Sequence, residues 1–481
     1  MRVAGPPPPR IDLDQIQGLC MRGYRYWFVR YLQLKVLDAG GACGFIGDLI
    51  DASSGLPQIT FATTWTTKPP HCVNLAVTYQ GLVALGIGAD TQKSLTLSDF
   101  ATFVTGASAP KTAARMGDLG QNDPKGWIYS DKTFDVAIAI WADTPGELDA
   151  VCAALQNKYA PSCTLVTTVE SQDLPDNQIY FGYRDGIAQP TITYNPTQQA
   201  PDEQDKVDPA AFALGQSDTW PDGYYRDMPI PRPNADFAYG CFGSLRMLRQ
   251  DVEGFEAFVE ASYPQIQTDY GLPNADVARK AVMALVIGRW PNGAALVDHP
   301  ITSDLTDQPV PPGDYELNDF LYHGDAGVNC PYTAHIRRGN PRDDLVAGGI
   351  SIKESRIMRR AMPYQVPYEE NCRHDPATER GLLGFFLSAS LQQGFELVQG
   401  DWVDGNGALA TDPADPAIGY DIFADQQGTP NAGYTLTYQG TVSTTGPLQI
   451  PRPFLTTRGS AYVFLPGRPG LQWLASLTPP T

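Results

Sequence analysis

Histidine is the scarcest chemistry-bearing residue of this chain: five in 481 residues, at positions 71, 299, 323, 335 and 374. Any imidazole ligand or base comes from that short set. The eight cysteines (Cys20, Cys43, Cys72, Cys152, Cys163, Cys241, Cys330, Cys372) form no CxxC pair and no CxxCH run. Their scatter argues against a zinc ribbon, a disulfide framework and a thioether-attached cofactor, and reads as reduced, mostly buried thiols of a cytoplasmic protein. Positive charge is also short: 34 Lys and Arg stand against 53 Asp and Glu, a net charge of −19. Such a surface repels nucleic acid and anionic membranes. No apolar run is long enough to cross a bilayer. The start, MRVAGPPPPRIDLDQ, lacks the apolar segment of a secretory leader.

What is present is a sizeable apolar fraction, 42% hydrophobic with only 18% charged residues, so a packed core rather than a disordered chain is expected. Glycine (46) and proline (42) are both abundant, which implies long, shaped loops. Residues 1–10 read as a Pro-rich flexible tail. In KTFDVAIAIW, Phe134, Val136, Ile138 and Ile140 alternate as in a half-buried strand. Thr144-Pro145-Gly146-Glu147 reads as a helix start, with Thr144 as N-cap, Pro145 at the first turn and Glu147 reaching back. Leu148, Val151, Cys152 and Leu155 continue it at helical spacing, and CTLVTTVES reads as the next strand. A strand-then-helix order recurs in Gly243 to Ser262, with Val252, Phe255, Phe258 and Val259 on one helix face, and again in LLGFFLSASLQQGFELVQGDW. GSAYVFLPG reads as a late strand. The order predicts an α+β fold of two α/β-sandwich units, antiparallel sheets flanked by helices, covering 11–230 and 231–481. The proline-rich run Tyr224 to Asp236 joins them.

Three segments carry chemistry. GYRDG, Gly182 to Gly186, holds Asp185 between glycines on a tight turn, where a carboxylate can be aimed into a cavity. AHIRRGNPR, Ala334 to Arg342, sets His335 beside Arg337, Arg338 and Arg342, one imidazole for a metal and guanidinium groups for a dianionic ligand. RIMRRAMPY, Arg356 to Tyr364, switches from apolar to basic at Arg359, and an arginine entering an apolar pocket needs an anion to pair with. The bland readings are a turn, a histidine in a basic surface loop, and a surface pair of Arg359 with Glu354 or Glu369. An acid, a histidine and an arginine together form the minimal set for haem-dependent peroxide chemistry.

The chain resembles the dye-decolourising peroxidases. GYRDG matches the family's GxxDG motif at Gly182, Asp185 and Gly186. AHIRRGNPRD is similar to the segment bearing the proximal haem histidine, here His335, and RIMRRAMPY to the segment bearing the distal arginine, here Arg359. CVNLAVTYQGLVALGI, MGDLGQNDPKGW, GRWPNGAALV and LLGFFLSASLQQGFELVQGDW extend the likeness from about residue 70 to 475. The resemblance implies two ferredoxin-like units around one non-covalent haem b per chain, bound with His335 as axial iron ligand. It implies Asp185 and Arg359 as catalytic residues, Arg342 as a propionate partner, Gly186 against the haem, and Leu383 and Phe385 lining the distal pocket. It further implies an oxidoreductase that reduces hydrogen peroxide through a ferryl stage and oxidises dyes, phenols or other small aromatic reductants by one-electron steps. Surface aromatics would relay electrons, with Tyr224, Tyr225 and Trp402 among the candidates.

Two positions depart from the family pattern. Ala361 stands where a small polar residue is usual, two places after the distal arginine. Ser390, or no acid at all, falls where an acid often accepts the proximal histidine's ring N–H. A haem-binding or haem-handling protein with little turnover therefore stays open beside the peroxidase, as does a partner-binding module that keeps the fold without haem. The sequence leaves homo-oligomerisation open.

Overall fold

In the computed structural model of the chain, the described residues are 11–97, 100–193, 206–215, 235–309, 318–344, 352, 355–366, 378–405, 421–424, 434–436, 438, 448–450 and 453–477. Their strands are β1 (Phe28–Val36), β2 (His71–Val77), β3 (Tyr129–Ser130), β4 (Val136–Ala142), β5 (Cys163–Gln172), β6 (Thr191–Ile192), β7 (Lys206–Val207), β8 (Cys241–Gln250), β9 (Met358–Val366), β10 (Glu379–Ser388), β11 (Tyr434–Leu436), β12 (Leu448–Ile450) and β13 (Leu455–Leu465). The helices are α1 (Ala39–Asp48), α2 (Tyr79–Ala84), α3 (Ala89–Leu95), α4 (Ala101–Thr105), α5 (Pro110–Arg115), α6 (Pro145–Tyr159), α7 (Val252–Tyr270), α8 (Ala275–Ile287), α9 (His335–Gly339) and α10 (Arg468–Ser476).

The main sheet runs β5-β1-β4-β2-β13-β8-β10-β9, with β3 added beside β13. It consists of two copies of one pattern. In β5-β1-β4-β2 and again in β13-β8-β10-β9, the fourth strand of a set lies beside the first, followed by the third and the second. This is the ferredoxin-like α+β order, twice, so the duplication inferred from element order is present in the topology. The two copies meet where β13 pairs with β2 at Phe464 and Val77. The end strands β5 and β9 lie against each other, so the sheet curls toward closure. The boundary expected near 230 falls outside the described residues.

Local signals behave as their chemistry dictates. Thr144 caps α6 through its side chain, which accepts from the Glu147 N–H, and Pro145 opens the helix. Val252, Phe255, Phe258 and Val259 are all buried along α7. The 134–140 strand appears as β4 but is buried on both faces rather than half-buried. Helix α6 packs against it, and Trp141 turns inward onto Tyr31 at 6.4 Å between ring centroids. All seven described cysteines are free thiols, six of them buried; Cys372 and His374 lie outside the described residues. Among the described residues, no helix is long and apolar enough to cross a membrane.

One buried ion pair anchors the MGDLGQNDPKGW segment to the sheet. Arg246 on β8 donates to both carboxylate oxygens of Asp118, at 2.6 and 3.0 Å, and Thr457 donates to the same carboxylate at 2.8 Å. Both side chains of the pair are 1% exposed. Removing one partner leaves the other charged, dry and uncompensated. Asp118→Ala is expected to cost about 3–5 kcal/mol of stability, read as a lowered midpoint in urea unfolding. A loss below about 1 kcal/mol would contradict the assignment of this pair as a buried anchor.

Candidate active site

His335 opens α9, directly after Ala334. Its Nδ1 lies 2.7 Å from Oδ2 of Asp421, a carboxylate with no exposed surface. The other oxygen, Oδ1, accepts the backbone N–H groups of Phe423 and Ala424, both at 2.9 Å. A carboxylate can only accept, so Nδ1 carries the hydrogen and Nε2 is left with its lone pair. Nε2 has no partner among the described residues. The imidazole keeps 31% exposure although its support is fully buried. A histidine so oriented, with its second nitrogen clamped by an acid, has the usual arrangement of a metal ligand. Among the described residues no cluster of three or more His, Cys, Asp or Glu offers an alternative metal site.

Asp421 corrects the expectation that Ser390 or no acid serves the histidine. Ser390 is buried elsewhere, its hydroxyl accepting from the Gln393 N–H and its carbonyl accepting from the Ser388 hydroxyl. Asp421 is distant in sequence and carries no local motif, so only the fold could reveal it.

The same acidic turn places the GYRDG run. Phe423, two residues after Asp421, lies 5.6 Å from the His335 ring, 4.9 Å from Phe181 and 6.2 Å from Tyr183. Phe255 of α7 closes the group at 5.0 Å from Phe181 and 6.0 Å from Phe423. Tyr183 is held further by its hydroxyl, which donates to the Met283 carbonyl at 2.9 Å. With Tyr183 sunk into this aromatic cluster, the next turn is thrown outward. Gly186 has φ of 78° and nothing within 4 Å of where a Cβ would lie, so glycine is required there for backbone angle and not for space. The Asp185 N–H donates to the Asn177 carbonyl at 2.8 Å. The Asp185 side chain itself remains 40% exposed.

Arg359 comes to this loop from β9. Its Nη1 lies 3.7 Å from Asp185 Oδ1, its Nη2 donates to the Ala188 carbonyl at 3.0 Å, and its backbone N–H donates to Gln189 Oε1 at 3.3 Å. Its pairing is with Asp185; Glu354 and Glu369, the partners of the surface-pair reading, lie outside the described residues. Ala188 and Gln189 follow GYRDG directly in the same informative stretch, and no role was read for them from the sequence.

Register fixes which neighbours share the arginine's side. Arg359 is opposite Phe386, Ala361 opposite Gly384 and Pro363 opposite Leu382. Directly paired residues of an antiparallel sheet point the same way, so these six share one face. Leu383 and Phe385, paired with Met362 and Arg360, point the other way. They are 1% exposed and belong to the core cluster containing Tyr31 and Met247, while Leu382 packs on the cluster holding Phe181, Tyr183 and Phe423. The expectation that Leu383 and Phe385 line the distal pocket is thus corrected: Leu382 and Gly384 stand on that side. Ala361 lies there as well and brings no side-chain donor.

The arginines near His335 divide by partner. Arg337 is 1% exposed and spends its donors on Asp325, Asp344 and the Cys330 carbonyl. Arg338 is buried and donates to the Gly405 carbonyl. Arg342 holds a positive φ of 56°, uncommon for a residue with a side chain. Its guanidinium stacks 3.9 Å over Phe320 and donates to the Phe320 carbonyl and to Asn318 Oδ1. Of the other candidates, His71 is paired with Glu147 at 2.6 Å, Trp402 is 1% exposed and so not a surface residue, and Tyr224 and Tyr225 lie outside the described residues.

No model of a protein family matches the sequence. Relatives do. The chain is 25% identical over 487 residues to a dye-decolourising peroxidase, msp1, of Mycetinis scorodonius, covering 97% of this chain and 88% of that one. It is 27% identical over 488 residues to the multifunctional dye peroxidase DyP2 of an Amycolatopsis species, covering 97% and 96%. A solved dye-decolourising peroxidase in complex with 2,6-dimethoxyphenol superposes with a TM-score of 0.78 at 25% identity, covering 97% of this chain and 99% of that one. Over nearly its whole length the chain is similar to dye-decolourising peroxidases. Those relatives are oxidoreductases of the peroxidase class, in a family of haem enzymes. The residues fit that group: a clamped imidazole with a free Nε2, and an acid on a loop tied to it by Phe423, paired with an arginine from β9.

The Asp421 bond polarises the His335 imidazole. An anionic acceptor at Nδ1 makes the imidazole more electron-donating and lowers the potential of a metal on Nε2. Asp421→Asn is expected to raise the reduction potential of the haem-loaded protein, measured by spectroelectrochemical titration. An unchanged potential would contradict this role.

Proposed function

We propose that this protein reduces hydrogen peroxide with one non-covalent haem b held on His335 and oxidises dyes, phenols and other small aromatic reductants one electron at a time. The observation that carries this is the juxtaposition of Asp185 and Arg359, 3.7 Å apart and both part-exposed, on a loop packed through Phe423 against a histidine with a free Nε2. His335 would hold the haem iron through Nε2, Arg342 would pair with a propionate and Gly186 would lie against the haem. When bound, the haem iron supplies the centre at which the O–O bond breaks and oxidising equivalents are stored.

The chain's own residues do the rest. Asp185 takes the proton from one oxygen of hydrogen peroxide on its carboxylate and returns it to the other, so that the leaving oxygen departs as water. Arg359 holds positive charge beside that oxygen as negative charge develops. Its ties to Ala188 and Gln189 fix it in place beforehand, so little reorganisation accompanies the reaction. Gly384 and Ala361, on the arginine's side of the sheet, leave that side without a competing side-chain hydrogen bond.

The proposal extends to the organisation of the chain in two halves, 11–230 and 231–481, and to residence in the cytoplasm, for which the free thiols speak. With a net charge of −19, neither nucleic acid nor an anionic membrane is a proposed partner.

Asp185→Asn is expected to slow the reaction with peroxide by about 100-fold or more while leaving the Soret spectrum of the haem-loaded protein intact. Stopped-flow mixing with one equivalent of peroxide measures it, and a wild-type rate would reject the carboxylate as base. Peroxide-driven dye oxidation by the wild type separates an enzyme from a haem-handling protein.

A further inference from the structure

A second carboxylate stands beside the distal loop. Asp173 follows the last residue of β5, with its N–H donating to the Trp27 carbonyl at 2.8 Å. The chain then turns back on itself through Pro175–Asn177. Asp176 and Asn177 take left-handed backbone angles, φ 59° and 52°, a cost that side-chain-bearing residues seldom bear in succession. The turn closes on the GYRDG loop, where the Asn177 carbonyl accepts the Asp185 N–H at 2.8 Å and Gln178 bridges to Arg184. Residues 173 and 185 thus belong to the two legs of one short reverse segment.

The environments of the two acids differ. Asp185 has a counter-charge, Arg359, at 3.7 Å. Among the described residues Asp173 has none: its Oδ1 accepts the adjacent Leu174 N–H at 3.0 Å, and its Oδ2 has no partner there. Asp185 is the acid whose charge acts on it. Burial first, and then the charge of Asp185, push the Asp173 carboxyl above the ordinary range, against the opposing Leu174 N–H. Asp173 is only partly buried, so it still exchanges protons with solvent. When two acids on one segment differ in this way, one can serve as base while the other holds its proton to higher pH than an ordinary carboxyl.

Peroxide reduction consumes protons: H2O2 + 2 e− + 2 H+ gives 2 H2O. A phenol brings a proton with each electron, whereas an outer-sphere electron donor such as ferrocyanide brings none, and the protein must then supply both. We propose that Asp173 is the proton relay between solvent and Asp185 during turnover, a positioning and delivery residue rather than a second base. This rests on the reading of Asp185 as the distal base.

The test uses the haem-loaded full chain and kcat with ferrocyanide as a function of pH. Below the midpoint of Asp173 the relay is protonated and turnover is fast; as pH rises through it the proton is lost and kcat falls. Asp173→Asn is expected to lower kcat on the acid side by at least about tenfold and to abolish that limb. Asp173→Glu is expected to restore a limb at a different midpoint, which a merely structural side chain would not do. Asp173→Ser, which keeps an acceptor for the Leu174 N–H, serves as the second variant should Asp173→Asn fail to fold. A midpoint equal to wild type in either Asp173→Asn or Asp173→Ser overturns the relay. Single mixing of Asp185→Asn with peroxide, without reductant, keeps the two claims apart. If that variant is slow while the Asp173 variants keep the wild-type midpoint, only the relay fails; if it reacts like wild type, the base reading fails first.

Discussion

The site depends on one buried carboxylate. Asp421 uses one oxygen to fix the tautomer of His335 and the other to cap the two N–H groups that shape its own turn. That turn carries Phe423 into contact with His335, Phe181, Tyr183 and Phe255. A single acid therefore sets the electronic character of the imidazole and, through one aromatic ring, the position of the loop bearing Asp185. Burying a large aromatic side chain contributes about 1.5–3 kcal/mol, so the turn is held by packing as well as by hydrogen bonds.

The second constraint is the sidedness of β9. Arg359 and Arg360 are neighbours, yet they face opposite directions and meet different fates. Arg359 points to the GYRDG loop and pairs with an acid. Arg360 points into the curled sheet with Leu383 and Phe385, where its donors reach the Leu19 and Arg359 carbonyls and burial lowers its pKa to about 10. The strand thus separates a guanidinium facing the GYRDG loop from one buried in the sheet by the two-residue period alone.

This sidedness also explains what could be read from the sequence. GYRDG, His335 and Arg359 were legible because each lies in a short local pattern whose residue types carry the chemistry. The cap of α6 and the buried face of α7 were legible for the same reason. Leu383 and Phe385 were misplaced by a single position, and in a strand one position exchanges the two faces. Asp421 was illegible: it is 86 residues from His335 in the chain, in a segment rich in glycine, proline and other acids, so nothing local distinguishes it. Arg337 and Arg342 look alike in AHIRRGNPR, and only their partners, Asp325 and Asp344 for one and Phe320 and Asn318 for the other, separate a structural arginine from one near the site.

The central claim is that a haem iron is bound by the free Nε2 of His335. Pulsed EPR of the ferric, haem-loaded protein carrying 15N-labelled histidine measures it most directly. The account predicts one strongly coupled imidazole nitrogen, absent from His335→Ala. The same coupling in His335→Ala, or none in the wild type, would contradict it.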